Sequence, residues 1–252
     1  MLKNKIKKLC LIGGLMMSLL PFTHTAQAAD KELIVATNLG FVPFEFTEKG
    51  KYVGFDVDLI DAIAQKLGLK YKWRTMEFGG LVSALQTNNV DMVIAGMTIT
   101  PERQAVVDFS DPYYQAGLAV LTRLKDEHIK TTADLAGKPV AVQTGTVAVE
   151  YMKKEVPTAK LNYFPEVNNL YLDLLTGRSD AVVHDSPNVQ YYAATAGKGK
   201  TRVTGFIDTN ESYGIAFPKG SPLVAEVNKA LKELKEDGTY DKIYSKWFGK
   251  IE

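Results

Sequence analysis

"ALQTNNVDMVIAG" (residues 84–96) and "DLLTGRSDAVVHD" (residues 173–185) align without a gap, setting Leu85 on Leu174, Thr87 on Thr176, Asp91 on Asp180 and Val93 on Val182. Each runs from a helical pattern into a short apolar strand. The same order extends on either side of both. "KELIVAT" (31–37) reads as a strand, and the next segment reads as a helix with Asp56 and Asp58 at its start, Ile60, Ile63, Ala64 and Leu67 on one face and Gly68 at its stop. "LKYKWRTM" (69–76) is the second strand, "GLVSALQTNN" (80–89) the second helix and "VDMVIAG" (90–96) the third strand. Downstream, strand "KPVAVQTG" (138–145), helix "TVAVEYMKKE" (146–155), strand "KLNYF" (160–164), helix "NNLYLDLLTG" (168–177) and strand "DAVVHDS" (180–186) repeat it.

Alternating strands and helices imply parallel sheets, so the predicted class is α/β in two lobes, each a mainly parallel sheet flanked by helices. "SDPYYQAGLAV" (110–120) and "TGFIDTNESYGIAF" (204–217) are extended and supply two crossings, which divides the chain into lobe 1 (29–113 and 213–252) and lobe 2 (114–212). A last helix, opened by Pro222 and striped with Leu223, Val227, Ala230, Leu231 and Leu234, should pack back on lobe 1. In the internal match Gly96 falls on Asp185 and Ala95 on His184, while Asn38 and Gln143 follow corresponding first strands. Open parallel sheets bind ligands outside the carboxyl ends of their strands, so these positions should line one cleft.

The N-terminus carries Lys3, Lys5, Lys7 and Lys8, an apolar run from about Leu9 to Phe22, and Ala26-Gln27-Ala28, the three-part pattern of an export signal spanning residues 1–28 with cleavage after about Ala28. The single cysteine, Cys10, lies inside it, leaving the mature chain without thiol or disulfide. Removing those four lysines leaves 26 basic against 29 acidic side chains, a balance of −3 that disfavours nucleic acid. His24, His128 and His184 are the only histidines, and no metal-ligand cluster, cofactor motif or catalytic constellation stands out.

"GFDVDLIDAIAQKL" (54–67), "FVPFEF" (41–46), "AGMTITPER" (95–103), "DFSDPYY" (108–114), "HDSPN" (184–188), "YGIAFPKGS" (213–221) and "DGTYDKIYSKWFG" (237–249) occur in one order, and through them the chain resembles the family 3 amino-acid-binding proteins of ABC importers, most of all its glutamine-binding members. The resemblance implies the two-lobed periplasmic-binding-protein fold of type II, a periplasmic location, no enzyme activity, no cofactor, a monomer, and two partners: a free L-amino acid and a membrane permease. In this reading Thr100 caps a short helix that Pro101 begins, and Arg103 offers a fork of donors to the ligand carboxylate. Gly96, Thr98 and Asp185 take the ammonium. Phe41 and Phe78 sandwich the side chain, and Ala95, Thr146 and Val147 complete the wall. His184 is either a satisfied core histidine or part of that wall. Glutamine-binding relatives carry an acid at Asn38, a lysine at Gln143 and usually glycine at Val147. The neutral amides here disfavour cationic and anionic side chains alike and suit glutamine, with asparagine and histidine next. A same-fold prephenate or arogenate dehydratase is the enzyme alternative, with His184 and Glu45 as its candidate acid or base. A sensor ectodomain is a third.

Overall fold

A computed structural model describes residues 32–249; the predicted signal, residues 1–28, lies outside them. The first lobe opens with β1 (Leu33–Thr37), the hairpin β2 (Phe46–Glu48) and β3 (Lys51–Val53), helix α1 (Phe55–Leu67) and β4 (Tyr71–Thr75). A 3₁₀ turn at Phe78–Gly80 leads into α2 (Leu81–Gln86), then β5 (Met92–Val93), α3 (Pro101–Gln104) and β6 (Val107–Phe109). The second lobe contains β7 (Tyr114–Arg123), β8 (Pro139–Gln143), α4 (Val147–Glu155), β9 (Lys160–Phe164), α5 (Val167–Leu175), β10 (Ala181–Asp185), α6 (Ser186–Ala194) and β11 (Thr201–Tyr213). The chain returns through β12 (Ala216–Pro218) to α7 (Leu223–Glu236) and α8 (Thr239–Phe248).

The two sheets run β4-β1-β5-β12-β6 and β9-β8-β10-β7-β11. In each, the first strand of the repeat lies between the second and third and parallel to both: Val35 pairs with Trp73 and Met92, and Ala141 with Asn162 and Val182. An antiparallel strand follows on one side, β12 against β5 and β7 against β10. The repeat therefore extends to topology. The crossings form one antiparallel ribbon, β7 on β11, from Tyr114↔Tyr213 to Arg123↔Thr201.

Of the predicted face, helix α1 buries Ile60, Ile63 and Ala64 and leaves Leu67 half-buried, with Leu59 buried as well, and it stops at Gly68, whose left-handed φ of 66° suits glycine. Asp58 sits at its start and accepts from Lys246 Nζ and Trp247 Nε1 of α8, both at 2.7 Å. Asp56 also lies in the first turn, as expected, but it is fully buried and its carboxylate accepts from Gly96 and Tyr113 instead of capping the helix end. Helix α2 is shorter than the predicted 80–89, because the chain enters it through the 3₁₀ turn and leaves it through Asn88 at φ 53°. Val227, Ala230, Leu231 and Leu234 of α7 join the same buried cluster as α1, so the tail packs on lobe 1.

Candidate functional site

Because equivalent strands of the two sheets end toward each other, Asn38 (after β1), Gly96 (after β5), Gln143 (end of β8) and Asp185 (end of β10) meet in one cleft. They line a narrow cavity with Phe41, Phe78, Ala95, Thr98, Arg103, Thr146, Val147 and His184. All twelve predicted positions therefore converge. A thirteenth lining residue, Glu45, comes from the loop after β1, where the run of aromatics conceals it.

Arg103 is placed by its own helix. Thr100 accepts the Arg103 N–H at 3.2 Å and Pro101 opens α3, as "TITPER" predicts. The guanidinium gives Nη1 to the Thr98 carbonyl at 2.6 Å and Nη2 across the cleft to the Gly145 carbonyl at 2.9 Å, with its carbon 5.4 Å from the Phe78 ring centre. Two of its five N–H groups are so occupied, and the others remain for an anion. Thr146 and Val147 start α4 on the opposite wall, and the Thr146 hydroxyl donates to the Gln143 carbonyl at 2.8 Å.

Asp185 stands at the N-cap position of α6 but makes no side-chain cap there. Its carboxylate instead accepts from Tyr213 Oη at 2.5 Å inside the cleft. Burial pushes its pKa up to about 6, against the Tyr213 hydroxyl and the Arg103 charge. His184 lies 3.6 Å from that carboxylate, yet burial holds its pKa down to about 3, so the contact is no ion pair at neutral pH.

The far wall is a directed hydrogen-bond chain. The Asp185 N–H donates to His184 Nδ1 at 2.8 Å, which leaves the proton on Nε2, 2.9 Å from Gln143 Oε1. Gln143 Nε2 donates to Asn38 Oδ1 and the Pro165 carbonyl, both at 2.9 Å. Asn38 Nδ2 donates to the Met76 carbonyl at 3.0 Å and to the Glu166 carboxylate at 3.2 and 3.3 Å. Carbonyls and carboxylates only accept, so both amide orientations are fixed. His184 is thus satisfied and a wall at once. The two amides, expected to donate and accept, have spent their donors and keep only oxygen lone pairs.

Two glycines show how tightly the cleft is built. Gly96 has φ 53°, and a Cβ there would lie 2.4 Å from Phe41 Cε1. Gly145, at φ 81°, places its would-be Cβ 2.8 Å from Gly79 Cα of the other lobe, a close approach that a single sequence does not disclose. Gly96→Ala is expected to cost roughly 2–4 kcal/mol through left-handed strain and overpacking against Phe41, lowering Tm by roughly 5–10 °C in scanning calorimetry.

Such a cavity, with guanidinium donors on one lobe and a buried carboxylate on the other, has the chemistry to hold a small zwitterion. Comparison with known proteins agrees in kind. The Arginine-binding extracellular protein ArtP of Bacillus subtilis (strain 168) is 36% identical over 230 residues, covering 88% of each chain. A solved ancestral arginine-binding protein bound to glutamine is 45% identical at a TM-score of 0.84, with 87% of this chain and 98% of that one covered. An ancestral arginine-binding protein bound to arginine is 44% identical at a TM-score of 0.83, with 86% and 98% covered. The description "Bacterial extracellular solute-binding proteins, family 3" matches residues 33–250, nearly the whole chain, and the chain belongs to that family.

Proposed function

We infer that the protein captures a free L-amino acid between its lobes and delivers it to the permease of an ABC importer, and that the favoured ligand is glutamine. The convergence of Arg103 and Asp185 on one cavity carries this reading. The ligand carboxylate would take the free N–H groups of Arg103 and the α4 amide end, and the ammonium would take Asp185 with Gly96 and Thr98. Since these groups belong to different lobes, the ligand is fully satisfied only with the lobes shut and so shifts the population toward closure. Delivery follows the family; one relative is the ABC transporter arginine-binding protein 1 of Escherichia coli, 34% identical over 232 residues.

The side-chain preference rests on the acceptor-only wall. A carboxamide can donate to the free lone pairs of Asn38 and Gln143, whereas a carboxylate would meet oxygen with oxygen. One observation favours arginine as a second reading: Glu166 lies beyond Asn38, its carboxyl raised by burial and opposed by the Asn38 donor, with Glu77 adding further negative charge. Calorimetric titration separates the two. Glutamine should bind at least ~100-fold more tightly than glutamate, the consequence of leaving a buried charged acceptor unpaired. Arginine binding more tightly than glutamine would select the second reading, and no heat across the common amino acids would end both. The dehydratase alternative is weakened because both ring nitrogens of His184 are engaged. Product formed from prephenate or arogenate would reinstate it.

A further inference from the structure

Beneath the cavity lie two acids that no ion pair accounts for. Glu45 and Asp56 are 1% and 0% exposed, and their carboxyls are within hydrogen-bonding reach of each other. Asp56 Oδ2 is well supplied: it accepts the Gly96 N–H at 2.9 Å and Tyr113 Oη at 2.8 Å. Asp56 Oδ1 and both Glu45 oxygens meet no N–H or O–H donor, although Glu45 lines the cavity. The titratable groups that act on Glu45 are Asp56 from α1 and Asp185 from the end of β10, with Tyr113, ahead of β7, coupled to both members of the pair. No cation is among them. Two ionised carboxylates so placed would face each other through lone pairs in a poorly polarisable site, and a single proton between them removes the repulsion and satisfies Oδ1.

We propose that Glu45 and Asp56 hold one proton between them, with Glu45 neutral and donating to Asp56 Oδ1, and that this pair is a positioning device that fixes the Gly96 peptide at the ammonium end of the site. The proton belongs on Glu45, because two donors already stabilise charge on Asp56 and none stabilises it on Glu45. Burial and the Asp56 charge raise the Glu45 carboxyl well above the ordinary carboxylate range, in the same sense. The left-handed turn at Gly96 has its N–H anchored by Asp56, so the dyad sets where that backbone stands against Phe41. The role for ligand rests on the amino-acid reading above; the shared proton does not.

The test has two arms. Carbon-13 NMR of glutamate-labelled protein, assigned by comparison with Glu45→Gln, should show one side-chain carboxyl still protonated at pH 7. A Glu45 carboxyl titrating in the usual range of about 4–5 would overturn the proposal. In the second arm, Glu45→Gln keeps an N–H donor for Asp56 Oδ1 and should bind the amino acid at least about tenfold more tightly than Glu45→Ala. Equal losses in Glu45→Gln and Glu45→Ala, as an ionised Glu45 touching the ligand cation would give, overturn the positioning role. If the unaltered protein binds no amino acid, the functional reading fails while the NMR arm still decides the proton.

Discussion

Arg103→Ala is expected to weaken amino-acid binding by at least ~30-fold, because truncating one partner of a buried, hydrogen-bonded charge pair costs about 2–5 kcal/mol. The side chain is half-buried and braced by the Thr98 and Gly145 carbonyls, so its remaining donors are aimed before any ligand arrives. Arg103→Lys should recover little. A single ammonium cannot hold Thr98, reach Gly145 across the cleft and still present two parallel donors. Calorimetric titration reads the loss, and an unfolding scan of the ligand-free variant checks that the fold survives. Unchanged affinity in a folded variant would show that the carboxylate does not lie against Arg103.

The second large effect is a pH dependence centred on Asp185. Its pKa of about 6 in the closed cleft means that the ionised form an ammonium requires is depleted as pH falls through that value. The α-ammonium and α-carboxylate of an amino acid keep their charges over this range, so the change belongs to the protein. Affinity should be full above about pH 7 and fall by up to about tenfold per unit below about pH 6. Stability runs the other way. A carboxyl raised in the folded state above its ordinary value favours the fold when protonated, so the ligand-free protein loses stability as pH rises from about 4 to 6. Asp56 is raised by burial too and contributes in the same direction, so the assignment needs a variant. Asp185→Asn should bind ~100-fold more weakly at pH 7.5 and show a flat affinity profile from pH 5 upward. A profile that still falls near pH 6 in this variant would move the titration elsewhere.

Much of the site was legible because it sits where strands end. The helix and strand periods of residues 33–96 and 138–185 place Asn38, Gly96, Gln143 and Asp185 at equivalent points of one repeat, and a repeat of topology carries them into one cleft. Arg103 was legible from its cap, since Thr100 and Pro101 act on their own neighbours. Glu45 was visible as a residue but not as a pocket wall: in "FVPFEF" its carboxylate is one polar group among five apolar or aromatic neighbours, and only the packing of Phe41 and Phe44 shows which way it turns. Asp56 does start its helix, but its service to the cleft was not legible because its partners, Gly96 and Tyr113, lie 40 and 57 residues away.

The sequence by itself determined two α/β halves in series, their crossings and the residues at the strand ends, because hydrophobic period, caps and chain order are properties of neighbouring residues. Tertiary structure alone decided the state of those residues. Whether Asn38 and Gln143 show oxygen or nitrogen to a ligand depends on Met76, Pro165, Glu166 and His184 around them, which come from both lobes. The proton between Glu45 and Asp56, and the glycine contact between Gly79 and Gly145, likewise depend on atoms brought within a few ångströms from distant parts of the chain. Hydrogen-bond direction and protonation are set by such short-range neighbours, and no spacing along the chain encodes them.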